Sequence, residues 1–108
     1  MRKLGKIADR LLPLRISQAA AADLESILIY SEQTFGPDIA DAYLEGIDRC
    51  LALLQQMPFI GALRSDLDGT IRSFRYKRHV IFYDFTGATL RIQRVLHDAQ
   101  DHHAALIS

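Results

Sequence analysis

Cysteine is nearly missing from this sequence and tryptophan is missing altogether, with Cys50 the single thiol in 108 residues. One cysteine excludes an intramolecular disulfide and any cysteine-built metal cluster, so burial must hold the fold together. Cys50 falls among Ile47, Leu51 and Leu54 in a helical pattern, which suits a reduced thiol in a buried position and a cytoplasmic setting. No apolar run approaches the length of a membrane span. Met1 to Leu12 is basic but lacks the continuous apolar segment of a signal peptide. No glycine-rich phosphate loop follows a strand pattern, and no Ser, Thr or Cys stands in a nucleophile elbow. His97, Asp98, Asp101, His102 and His103 are the one cluster of metal-ligand residue types. Adjacent histidines in a terminal tail lack the spacing of a closed site, so neither a metal nor a cofactor is expected.

Net charge is also absent, with 13 basic residues against 13 acidic ones. The zero hides an uneven distribution. From Gln18 to Pro58 seven carboxylates face one base, Arg49. From Ile71 to His97 six bases (Arg72, Arg75, Lys77, Arg78, Arg91 and Arg94) face Asp84 alone. A small chain with one acidic and one basic half has a directional field, suited to a charged partner.

What is present is a dense stretch of β-branched and aromatic residues, Ile71 to Phe85. It reads as two strands with a tight turn near Lys77 and Arg78. Val80 and Phe82 lie on one face of the second strand, His79–Phe85, with Ile81, Tyr83 and Phe85 on the other. A strand apolar on both faces belongs in the middle of a covered sheet. Leu12 to Ser17 reads as a short first strand. Ser17 then caps a helix from about Gln18 to Phe35, with Asp23 and Glu25 near its positive end. Leu24, Ile27, Leu28, Ser31 and Phe35 form its apolar stripe. Gly36-Pro37-Asp38 stops that helix and starts another, striped by Ile39, Ala40, Tyr43, Leu44, Ile47, Leu51 and Leu54 and ending at Met57-Pro58. So short a link makes an antiparallel helical hairpin. Phe59 to Thr70 reads as loop and Leu90 to His97 as the last strand, with Leu90, Ile92, Arg94 and Leu96 on one face.

The length suits a single domain over residues 1–108, with a basic extension at 1–11 and a polar tail at 98–108 in which Ala104 to Ile107 can dock a helical turn. The order β-α-α-β-β-β gives an α+β fold, a mainly antiparallel sheet with the helical hairpin on one face. One hairpin covers one face only. A tail or a partner segment must therefore shield the other, and a separate amphipathic chain is the expected cover. Arg72, Arg75, Arg78, Arg91 and Arg94 on successive strands, with Tyr76, Tyr83 and His97 near, could hold phosphates or an acidic protein segment. The uncovered face favours protein.

The chain resembles the ParE branch of the RelE/ParE toxins of bacterial toxin–antitoxin modules. Ser17-Gln18-Ala19-Ala20-Ala21-Ala22-Asp23-Leu24, Phe35-Gly36-Pro37 and Pro58-Phe59-Ile60-Gly61 carry the resemblance. So do Ile71-Arg72-Ser73-Phe74, His79-Val80-Ile81-Phe82-Tyr83 and Arg94-Val95-Leu96-His97, all in order from Leu14 to His97. The resemblance implies a toxin neutralised by a cognate ParD-like antitoxin and acting as a non-enzymatic inhibitor of DNA gyrase. It implies no membrane association, and no direct nucleic-acid binding without the antitoxin. Arg72, Arg75, Arg78, Tyr83, Arg94 and His97 are the expected target or antitoxin contacts. The alternative is the RelE branch, a ribosome-dependent mRNA endonuclease in which Arg72, Arg75, Arg94 and His97 would be catalytic. That branch often continues with an Arg and then a Tyr, whereas Asp98-Ala99-Gln100-Asp101 follows here. A third alternative is a non-toxic relative that only binds an antitoxin-like partner.

Overall fold

The computed structural model describes residues 11–107. The basic extension falls almost wholly outside them. The element order is β1 (Leu14–Ile16), α1 (Gln18–Phe35), α2 (Pro37–Gln56), a 3-10 turn (Pro58–Ile60), β2 (Ala62–Leu63), β3 (Arg72–Tyr76), β4 (His79–Phe85), β5 (Leu90–His97) and α3 (His102–Ile107). Five strands form one sheet in the order β1-β5-β4-β3-β2. β1 runs parallel to β5 and every other pairing is antiparallel. The α+β class holds. The stretch read as plain loop contains the 3-10 turn and the two-residue edge strand β2. Among the described residues no helix is long and apolar enough to cross a membrane.

The helical hairpin forms for the expected reasons. The Ser17 hydroxyl accepts the Ala20 amide at 2.9 Å, satisfying one of the unpaired donors of the first turn. Gly36, at φ 91°, ends α1 and starts α2 in a conformation that only glycine adopts cheaply. Asp23 is too far along to serve the helix dipole, since α1 has no acidic residue in its first turn. It turns toward β5 instead.

Two apolar clusters sandwich β4. On the helical side Ile27, Ile47, Leu51 and Leu54 meet Ile81, Tyr83, Leu90, Ile92 and Val95. On the opposite side Ile71, Val80, Phe82 and Leu96 are covered by Leu67 and by Ala105 and Leu106 of α3. The separate chain expected over the second face is thus replaced, within this chain, by its own tail. Phe82 stacks edge-on against His102 with centroids 4.9 Å apart, which fixes that cover.

The faces of β5 differ from strict alternation. Phe82 pairs with Arg94 but Tyr83 pairs with Ile92, so Gln93 is an extra, bulged residue. A one-residue bulge flips every side chain beyond it. Leu90 and Ile92 therefore share the helical side with Val95, whereas Leu96 goes to the opposite cluster.

Candidate functional site

The outer edge of β5 has no strand partner beyond Ile92, because β1 ends at Ile16. The start of α1 closes that edge. The Ser17 amide donates to the Ile92 carbonyl at 3.0 Å and the Ser17 hydroxyl to the Gln93 carbonyl at 2.8 Å. Nearly two turns further, the Asp23 carboxylate accepts the Val95 amide at 2.9 Å and both Nε and an Nη of Arg94 at 2.8 Å. Arg94, expected on a contact surface, is instead the bidentate partner of Asp23.

Of the other basic candidates Arg72 is engaged inward and Arg75 at the surface. Arg72 donates one Nη to the carbonyls of Phe59 and Gly61, at 3.2 and 2.9 Å, and lies over the Phe85 ring. Arg75 donates to the Lys77 carbonyl at 3.2 Å and pairs with Asp98 at 3.1 Å, on an exposed surface. The Arg75 guanidinium is the main reason the Asp98 carboxyl titrates below its ordinary range.

Tyr83, expected as a contact residue, is fully buried. Its hydroxyl accepts the Gly61 amide at 2.9 Å and donates to the Pro58 carbonyl at 2.8 Å. Burial raises its phenol, which keeps that donor proton in place. Gly61 has to be glycine here, since a Cβ would collide with the Tyr83 hydroxyl and ring. The Pro58-Phe59-Ile60-Gly61 motif is therefore a loop clasped from below by Tyr83 and from the side by Arg72.

Arg78 and His97 do come together. They line a cleft of about 470 Å³ with Tyr30, Ser31, Phe35, Ile39, Tyr43, Lys77 and His79. The cleft opens between the Gly36 turn of the helical hairpin and the β3–β4 turn. Tyr30, Phe35 and Ile39 are 63, 56 and 57% exposed, so the last two leave the core stripe expected of them. Lys77 holds a left-handed backbone at φ 52°, an uncommon conformation for a residue with a side chain. That turn carries its ammonium to 6.0 Å from the Tyr43 centroid and 5.4 Å from that of Tyr76.

In the wall of the cleft the Tyr43 hydroxyl meets His79 Nδ1 at 2.7 Å. Burial raises the Tyr43 phenol, so the hydroxyl keeps its proton in this contact. His79 and His97 stack edge to face at 5.3 Å. The His97 Nδ1 accepts the Ala99 amide at 3.0 Å. Asp98, 3.1 Å from that same nitrogen, becomes an ion-pair partner only once the ring is protonated.

Burial, followed by the neighbouring His97, holds His79 below the ordinary histidine value of 6.5, while Asp98 and Asp23 pull weakly the other way. The sign follows. Above that value both folded and unfolded chains are neutral at this site. As pH falls through it the unfolded chain takes the proton first, so stability drops until the folded ring titrates too. Between pH 7 and pH 5 the urea midpoint of the parent should fall more steeply than that of His79→Gln. Parallel profiles would show that His79 is not the group concerned.

The metal-type cluster in the tail is dispersed. His102 Nε2 donates to the His97 carbonyl at 2.9 Å, and among the described residues no three His, Cys, Asp or Glu side chains could hold an ion. Tyr43, His79 and Lys77 escaped sequence reasoning. The one local hint was a tight turn at Lys77-Arg78 without the Gly or Asn that usually takes a left-handed position.

Comparisons with known proteins converge on one family. The family model described as the ParE toxin of the type II toxin–antitoxin system parDE matches residues 14–102. Toxin ParE1 of Caulobacter vibrioides is 33% identical, over 87% of this chain and 97% of that protein. Toxin ParE1 of Mycobacterium tuberculosis is 31% identical, over 80% of this chain and 89% of that one. A solved structure described as the chromosomal ParDE TA system from P. aeruginosa superposes with a TM-score of 0.71 at 23% identity. It covers 82% of this chain and 97% of its own, a likeness of fold.

Proposed function

The chain belongs to the ParE toxin family of type II toxin–antitoxin systems, and from that premise we propose that it acts in the cytoplasm as a non-enzymatic inhibitor of DNA gyrase, held inactive by a ParD-like antitoxin. One observation carries the choice against mRNA cleavage. Two of the four residues that a RelE-type nuclease would use are engaged within the fold, Arg94 by Asp23 and Arg72 by two loop carbonyls. Arg75 stays exposed in a surface pair with Asp98. A general acid or phosphate ligand needs its donors aimed at substrate, whereas those of Arg94 and Arg72 point at the protein itself. Lys77 and Arg78 stay turned outward near the exposed Tyr30, Phe35 and Ile39, a combination suited to gripping a protein.

The test is direct. Purified chain added to gyrase and relaxed plasmid should suppress supercoiling and leave linear DNA after the enzyme is digested away. Pre-mixing with the antitoxin should restore supercoiling. Unaltered gyrase activity, together with cutting of ribosome-bound mRNA, would replace this reading with the nuclease one.

A further inference from the structure

The cleft between the two turns has the features of a docking site rather than of a packing defect. Its rim is built from Tyr30, Phe35 and Ile39, all more than half exposed and drawn from the two helix ends that meet at Gly36. Lys77 and Arg78 supply its charge, and the one carboxylate at its margin is Asp98, beside His97 and Arg78. The Tyr43–His79 hydrogen bond satisfies both groups within the wall, leaving the wall itself polar but neutral near pH 7. The left-handed backbone at Lys77 stores strain at the point where its ammonium is delivered to the aromatic wall. An apolar seat flanked by two exposed cations complements a segment carrying an apolar or aromatic side chain beside a carboxylate.

We infer that this cleft is where the chain grips its protein target, by seating one such apolar–acidic loop of the target between Tyr43, Phe35 and Ile39, with the loop's carboxylate on Lys77 and Arg78. The size supports a target loop over an antitoxin segment. About 470 Å³ holds a few anchoring side chains, not the long amphipathic segment that wrapping a toxin requires. This inference rests on the reading of the chain as a toxin, but not on gyrase being the target.

Ile39→Asp and Arg78→Glu test it, because both side chains are exposed and neither hydrogen-bonds within the core. Each variant is induced in cells and its growth arrest compared with the parent, while the antitoxin affinity of each is measured on purified protein. An anchor and a charge at the centre of an interface should each change binding by about tenfold or more. Expected is a rise of that order in the dose needed for arrest, larger for the double variant, with antitoxin affinity within about twofold of the parent. Retained arrest by the double variant overturns the inference. So does an equal loss of antitoxin affinity, which would assign the cleft to the antitoxin. If the parent arrests growth without affecting purified gyrase, the gyrase reading falls while the comparison of variants still decides the cleft. If the parent does not arrest growth, the toxin reading itself has failed and this inference falls with it.

Discussion

Tyr83→Ala should lower the free energy of unfolding by about 4 kcal/mol, the range for truncating a large buried aromatic. Tyr83 is the largest fully buried side chain of the described residues, and it works twice. Its ring fills the centre of the helical-side cluster, between β4 and the helices. Its hydroxyl satisfies the Gly61 amide and the Pro58 carbonyl, both of which would be left without a partner. Tyr83→Phe keeps the ring and removes only the hydroxyl, so it should cost about 1–3 kcal/mol. Gly61→Ala attacks the same clasp from the other side by forcing a Cβ into the tyrosine hydroxyl and ring. Because the two residues share one contact, their effects should not add. Gly61→Ala should be less damaging in the Tyr83→Phe background than in the parent. Urea denaturation of the four proteins checks this, and simple additivity would mean that the clasp does not exist. Small domains hold about 5–15 kcal/mol in all, so Tyr83→Ala should also cost tens of degrees in Tm.

The second large effect is expected at Asp23→Ala, about 2–3 kcal/mol. An exposed ion pair would be worth under about 1 kcal/mol. This one exceeds that because the Asp23 side chain is only 13% exposed and satisfies three donors at once. Removing it leaves the Arg94 guanidinium without its carboxylate and opens the edge of β5 at the Val95 amide. Asp23→Asn keeps one acceptor and loses the charge, so it should fall between the two. A double-mutant cycle with Arg94→Ala separates the ion pair from the edge bond. If Asp23→Ala costs no more than an exposed pair, the edge is closed by something else.

These two sites also show what the sequence could and could not reveal. The apolar alternation of His79 to Phe85 correctly separated Val80 and Phe82 from Ile81 and Tyr83, because period two is a property of any strand. The same logic failed on β5, where the extra residue at Gln93 reverses the alternation. Nothing in Gln-Arg-Val marks a bulge. Phe35 and Ile39 fit the helical stripe and yet face solvent, since a period identifies a side of a helix but not whether another layer lies beneath it. Arg72 and Arg94 were expected on a contact surface, and the fold gives both of them acceptors of its own. Long guanidinium side chains follow whichever acceptor the fold brings near, and both Asp23 and the Gly61 carbonyl come from segments distant in sequence. The parallel pairing of β1 with β5 is likewise a long-range choice with no local signature.

The measurement that tests the central claim most directly is made in growing cells. The chain is induced without its antitoxin while chromosome integrity, plasmid supercoiling and mRNA integrity are followed together. A gyrase inhibitor should arrest growth with double-strand breaks and loss of negative supercoiling, before any change in mRNA, and co-expressed antitoxin should reverse the arrest. Arrest with intact DNA and translation-dependent mRNA cleavage would contradict the account, as would no arrest at all.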